Sequence, residues 1–171
     1  MKSKFAIAGH PIHPMLVVVP IGLFVWALVS DFIYLGTDKD KMWYDIAFWT
    51  GIAAIISAVI AALPGFGDFL TLAAKSDART MALTHMVLNL GVVLLYLIAM
   101  LLMLDDGATD GGSLATVIVL HAIGVAGLLV SGWIGGEMVY RHHLGMVADD
   151  EQESRGEYER HARRPTWAGR S

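Results

Sequence analysis

Side chains that could bind a metal or a cofactor are concentrated near one end of the apolar segments of this chain. Imidazole and carboxylate groups bind zinc or iron, and pairs of imidazoles bind haem iron. The spacing therefore indicates a binding site at that end, if the apolar segments bring these residues together. The candidate residues are His10, His13, Asp68, His85, Asn89, Glu137 and His142.

Four long apolar segments must position these residues. The 171-residue chain is 56% hydrophobic and 16% charged, whereas soluble domains are about 25% charged. Crossing the hydrocarbon core of a membrane takes about 20 residues of helix, and strands of that length are not found in globular proteins. The sequence predicts an all-α integral membrane protein, a four-helix bundle with up-down topology. The predicted spans are residues 15–35, 44–63, 81–104 and 114–138.

The rest of the sequence sets the limits of the membrane domain and excludes some kinds of site and partner. Pro64-Gly65 is expected to end the second span, and residues 1–147 form the predicted membrane domain. Residues 148–171 carry both charge signs and are expected to be a disordered tail. The absence of cysteine excludes disulfides and cysteine-ligated iron–sulfur clusters. No broad basic face is present, so the lipid bilayer is the expected partner and nucleic acid is not.

The distribution of Lys and Arg predicts the orientation of the chain. Positive charges are enriched in cytoplasmic loops of membrane proteins. The face that carries the candidate site has five such residues near the spans, and the opposite face has two, so both termini are expected in the cytoplasm. The five are Lys2, Lys4, Lys75, Arg79 and Arg141, and the two are Lys39 and Lys41.

The first and third helices favour a haem site. In an up-down bundle these helices lie diagonally, and neighbouring axes about 8–10 Å apart make the diagonal roughly 12–14 Å. His13 and His85 occupy matching depths on that diagonal, which suits two axial ligands of haem b. Asn89 and His142 would then bind the edge of the cofactor, and Asp68 and Glu137 could carry protons. The third helix presents its most polar face inward, with the residues His85, Asn89, Val92, Tyr96, Met100 and Met103.

Two other hypotheses use the same end of the bundle. His10, His13, Asp68, His85 and Glu137 form a nitrogen and oxygen set that suits a divalent metal such as zinc or non-haem iron. Alternatively, the polar residues only fasten helix ends together in a non-catalytic membrane subunit. In that reading Glu137 and Arg141, four residues apart, simply form an ion pair. His121, in the opposite half, is expected to pack or to form a hydrogen bond.

Several motifs resemble one bacterial family. They are Gly9-His-Pro-Ile-His-Pro14, Leu63-Pro-Gly-Phe-Gly-Asp68, His85 with Asn89, and Ser131-Gly-Trp-Ile-Gly-Gly-Glu-Met-Val-Tyr-Arg-His142. Together they resemble the membrane proteins grouped as domain of unknown function 2231, over about residues 5–147. Relatives often have His-Gly after Tyr-Arg, where this chain has His142-His143.

The resemblance implies a four-helix protein of the bacterial cytoplasmic membrane. Some relatives look fused to, or encoded beside, Rieske-type redox modules, which favours electron transfer by association. The expected role is therefore an electron-transfer or binding subunit rather than a stand-alone enzyme. A redox partner protein is expected on this reading, and a homo-oligomer is compatible with the sequence.

Overall fold

Four long helices make up most of the chain in the computed structural model, which describes residues 3–104 and 111–142. Each is long and apolar enough to cross a membrane, so the predicted four-helix membrane fold is confirmed. A two-stranded hairpin precedes them. The elements are β1 (Ala6–Ile7), β2 (His10–Pro11), α1 (Ile12–Leu16), α2 (Val18–Gly36), α3 (Lys41–Phe69), α4 (Asp77–Met103) and α5 (Gly111–His142).

The first span is divided into α1 and α2 at Val17. Pro20 has no backbone N–H, so it cannot donate the helical hydrogen bond to the carbonyl of Leu16. Helical hydrogen bonds continue across this break. Val17 N donates to His13 O at 3.1 Å, and Ile21 N donates to Val17 O at 3.2 Å. α1 and α2 therefore form one continuous candidate span of 25 residues.

The second span continues past the proline that the sequence suggested as its end. α3 includes Pro64 and finishes at Phe69, so Asp68 lies in its last turn rather than in a following loop. Proline is tolerated inside a membrane helix when neighbouring groups satisfy the backbone that it disturbs. Here His13 supplies a hydrogen bond to the carbonyl of Ala61, 2.7 Å away, one residue beyond the Ile60 carbonyl that Pro64 leaves without its helical donor.

Each helix packs against its neighbours in chain order, and α5 closes the ring against α2. We call the end where α1 and α4 begin and α3 and α5 finish the histidine end. Both clusters of buried hydrophobic residues among the described residues lie elsewhere. One surrounds Tyr96 at mid-bundle, and the other surrounds Tyr44 and Met103 at the opposite end. Apolar packing therefore secures the middle and the opposite end of the bundle.

Gly124 on α5 lies directly against the ring of Tyr96 on α4 in the central cluster. A Cβ built there would lie 2.6 Å from Cε2 of Tyr96, and that ring is wedged between Phe24 and His121. We expect Gly124→Ala to lower the free energy of unfolding by about 1–3 kcal/mol through overpacking. Thermal unfolding followed by circular dichroism in detergent measures the change.

Gly132 provides the control on the same helix, because nothing lies within 4 Å of a Cβ at that position. Gly132→Ala should leave the unfolding free energy unchanged or raise it by roughly 0.5–1 kcal/mol, since alanine favours the helix. Equal melting temperatures for the two variants would contradict the packing argument.

Candidate functional site

His13 is held against α3 by its Nδ1 atom. This nitrogen lies 2.7 Å from the backbone carbonyl oxygen of Ala61. Because a carbonyl can only accept, Nδ1 carries the proton, and in the neutral ring Nε2 keeps a lone pair. A Cβ at Gly65 would lie 2.7 Å from Nδ1 of His13, so the glycine permits this close approach. The motif residues His13 and Gly65 thus meet in space.

His85 on α4 has the same arrangement against α5. Its Nδ1 lies 3.0 Å from the carbonyl oxygen of Ser131 and 2.9 Å from the hydroxyl of the same residue. Asn89 donates from Nδ2 to that hydroxyl at 2.5 Å and to the carbonyl of His85 at 2.7 Å. The carbonyl contact again fixes the proton on Nδ1 and leaves the lone pair on Nε2. Asn89 and Ser131 therefore orient the His85 ring.

The two imidazole rings lie close together across the bundle. Their centroids are 6.4 Å apart, and their planes are inclined by 89°. Metal–nitrogen bonds of about 2.0–2.1 Å, with about 1.1 Å more from each nitrogen to its ring centre, place two opposed ligands about 6 Å apart. Axial imidazoles can rotate about the axis through the metal, so perpendicular planes are compatible with ligation. The spacing of His13 and His85 matches that of two ligands on one metal.

The other predicted site residues have different contacts. Asp68 accepts hydrogen bonds from the hydroxyl of Ser3 at 2.6 Å and from the backbone of Lys4 at 3.0 Å. His10 is exposed, in strand β2, with Nδ1 3.1 Å from the carbonyl of Ala8. The bond from Lys4 fastens the amino-terminal segment to the end of α3.

Glu137 and His142 lie on the last turns of α5. Glu137 forms an ion pair with Arg141, whose side chain is largely exposed, as the spacing of four predicts. His142 Nε2 lies 3.2 Å from the sulfur of Met81 on α4. Within the described ranges, no three His, Asp or Glu side chains lie close enough to hold a metal ion. His143 and the predicted tail lie outside those ranges.

The structure also reveals a buried polar pair that the sequence reasoning did not assemble. His121 was expected to pack or form a hydrogen bond, and its Nδ1 lies 2.6 Å from Oδ2 of Asp31. Asp31 is not among the predicted site residues, although a carboxylate inside the predicted first span is a usable signal. Pairing the two requires knowing that α2 and α5 are neighbours and which faces they share.

The architecture and these contacts define an integral membrane four-helix bundle with two neighbouring histidines at one end. The chain belongs to the family described as predicted membrane protein DUF2231, whose profile matches residues 9–148. The resemblance carried by the His-Pro and Gly-Gly motifs is thereby confirmed. No curated protein and no solved structure matches the chain.

Proposed function

We propose that the histidine end binds haem b, with His13 and His85 as axial ligands, and that the protein transfers electrons. The observation that carries the proposal is the matched pair of hydrogen bonds at Nδ1. Histidines that ligate metals usually donate their second ring N–H to a carbonyl or carboxylate, which fixes the ring and leaves the other nitrogen free. Both rings do so here, at a centroid separation of 6.4 Å.

A haem fits this pair better than a bare metal ion does. A porphyrin supplies its own equatorial ligands, so the protein needs to provide only the axial ones. A structural zinc site usually takes all of its ligands from side chains. Among the residues that the structure describes, the two imidazoles are not joined by a third His, Asp or Glu ligand. Two protein ligands therefore favour a macrocycle.

Glycine backbone, without side chains, lies beside both rings. Gly65 borders His13, and a Cβ at Gly135 would lie 3.4 Å from Cε1 of His85, so bare backbone lies beside each ring. Both histidines are half-buried. The two clusters of buried hydrophobic residues lie away from this end. A group held by the two rings would therefore border glycine backbone rather than the packed hydrophobic core.

The visible absorption spectrum of the purified full-length protein tests the proposal. Cells supplied with haem precursor should yield protein whose spectrum sharpens into strong bands on reduction with dithionite. Haem quantified as its pyridine complex should approach one per chain. Protein from such cells that lacks these bands would refute haem binding. Elemental analysis of the same sample for zinc and iron then tests the non-haem metal hypothesis.

The contacts also support a second candidate, in which the polar residues only join elements together. His13 links α1 to α3, Asn89 links α4 to α5, and Asp68 links α3 to Ser3. Each bond crosses from one element to another, as a fastening role requires. This candidate predicts colourless protein without metal, whose histidine variants lose stability and nothing else.

The haem proposal places the site on the cytoplasmic side of a bacterial inner membrane, where a soluble redox partner could reach it. This orientation is supported by the excess of Lys and Arg at the histidine end. The partner would approach the amino-terminal hairpin and the start of α4. Both the partner and the orientation are parts of the proposal.

A further inference from the structure

Asp31 and His121 form an isolated polar pair inside the membrane-spanning part of the bundle. Their side chains are 2% and 0% exposed, and Nδ1 of His121 lies 2.6 Å from Oδ2 of Asp31. The pair joins α2 to α5, about ten residues from the start of α5, which is about 15 Å of helix. It is separated from the histidine end by the central hydrophobic cluster around Tyr96.

The second ring nitrogen of His121 is the unusual feature of the pair. Nε2 is buried and has no hydrogen-bond partner within the described residues. Tyr96 stacks on the ring, with centroids 4.3 Å apart and planes inclined by 14°. Its hydroxyl does not serve Nε2, because it donates to the carbonyl of Phe24 at 2.7 Å. Nε2 is thus the atom at which the pair can gain or lose a proton.

The charge of the pair depends on the occupancy of Nε2. With one proton, on Nδ1, the ring is neutral and the carboxylate leaves a net negative charge in the membrane. A second proton on Nε2 makes an imidazolium, and the pair becomes neutral overall. Moving a proton from Nδ1 to Asp31 does not alter this count. Burial of an uncompensated charge is costly, so the one-proton and the two-proton pair differ in their electrostatic cost inside the membrane.

We propose that Asp31 and His121 form a proton-binding site within the membrane, with Nε2 as the atom that takes up and releases the proton. In uptake, a hydronium ion gives its proton to the Nε2 lone pair, an N–H bond forms, and water is left. Asp31 neutralises the imidazolium through Nδ1. Ionisable pairs at such depth commonly serve as proton relays.

The surroundings leave this pair as the main ionisable centre at its level. The other titratable groups nearby are Tyr96 of α4, which stacks on the imidazole, and Tyr34, one turn beyond Asp31 on α2, whose ring packs against Tyr44 of α3. The buried residues in the middle of α3 are Ala47, Gly51 and Ala54, none of which is titratable. The neighbouring Ser30 donates its hydroxyl to the carbonyl of Trp26 at 2.8 Å, so it is not directed at the imidazole. The charge on the pair is therefore set by its own protons.

Nuclear magnetic resonance of the wild-type protein tests the proposal. The full chain is labelled with ¹⁵N-histidine, placed in lipid nanodiscs, and titrated between about pH 5 and pH 8, where histidine normally changes charge. Through-space contact with the Tyr96 ring identifies the His121 signal without a mutation. We expect the pair to change from two protons to one as the pH rises. The two-proton state is seen either as a doubly protonated ring, or as a protonated Nε2 together with an infrared band of a protonated Asp31 carboxyl.

Asp31→Asn keeps the size of the side chain and removes its charge. In this variant the His121 ring should hold a single proton over the same pH range. Asp45→Asn is the control, because the Asp45 side chain is half-exposed and forms an ion pair with Lys41. A wild-type pair that holds the same number of protons throughout the titration overturns the proposal, as does a doubly protonated ring in Asp31→Asn. If Asp31→Asn does not fold, the wild-type titration decides alone.

Discussion

His85→Ala is expected to yield protein without haem absorption, and His13→Ala should behave in the same way. Each substitution removes one axial ligand, and the remaining imidazole cannot hold the iron from both sides. Spectra of the oxidised and dithionite-reduced proteins, normalised to protein concentration, measure the loss. Adding free imidazole should restore part of the reduced bands in His85→Ala, because it can occupy the space that the side chain leaves.

His10→Ala is the matched control for the loss of a histidine near the same site. His10 is exposed and contacts the backbone of Ala8, so its replacement should leave the spectrum at the wild-type intensity. Equal haem content in all three variants would refute axial ligation by His13 and His85. If His10→Ala alone lost the bands, the amino-terminal hairpin rather than α1 would supply the ligand.

The second large effect is expected at the buried pair. His121→Leu should lower the free energy of unfolding by about 3–5 kcal/mol, because it leaves the Asp31 carboxylate buried without its partner. The double variant Asp31→Leu with His121→Leu should recover most of that loss, since apolar side chains replace both polar groups. Unfolding in mixed micelles with increasing sodium dodecyl sulfate measures both values.

The exposed ion pair between Lys41 and Asp45 provides the comparison. These side chains are 79% and 49% exposed, and exposed pairs contribute about 0–1 kcal/mol. Lys41→Leu should therefore change stability little. A double variant at Asp31 and His121 that is as unstable as His121→Leu would show that buried charge is not the cause of the loss.

Hydropathy predicted the four helices because a membrane span needs a long apolar run, and this chain has four. The boundary at Pro64 could not be predicted in the same way. Proline ends most helices in water, but α3 continues to Phe69 in contact with α1. The inward face of α4 was predictable from its spacing, and Val92, Tyr96, Met100 and Met103 are all buried there.

The closeness of His13 and His85 followed from helix order and depth, both of which a sequence contains. Helix order and depth do not show which nitrogen of each ring forms the backbone hydrogen bond. That choice depends on the rotation of α1 against α3 and of α4 against α5. The same limit applied to Asp31 and His121. Each is a single polar residue in an apolar run, and only the rotation of α2 against α5 brings them to 2.6 Å.

The uneven placement of buried apolar residues gives the bundle two regions of different local stability. Amide hydrogens open to solvent most readily where few buried apolar contacts hold the backbone. The first turns of α4 and the last turns of α5 should therefore exchange faster than the segments around Tyr96 and Tyr44. A molecule bound between His13 and His85 would slow that exchange in proportion to its occupancy. Hydrogen exchange would thus detect a molecule bound at the histidine end even if that molecule does not absorb visible light.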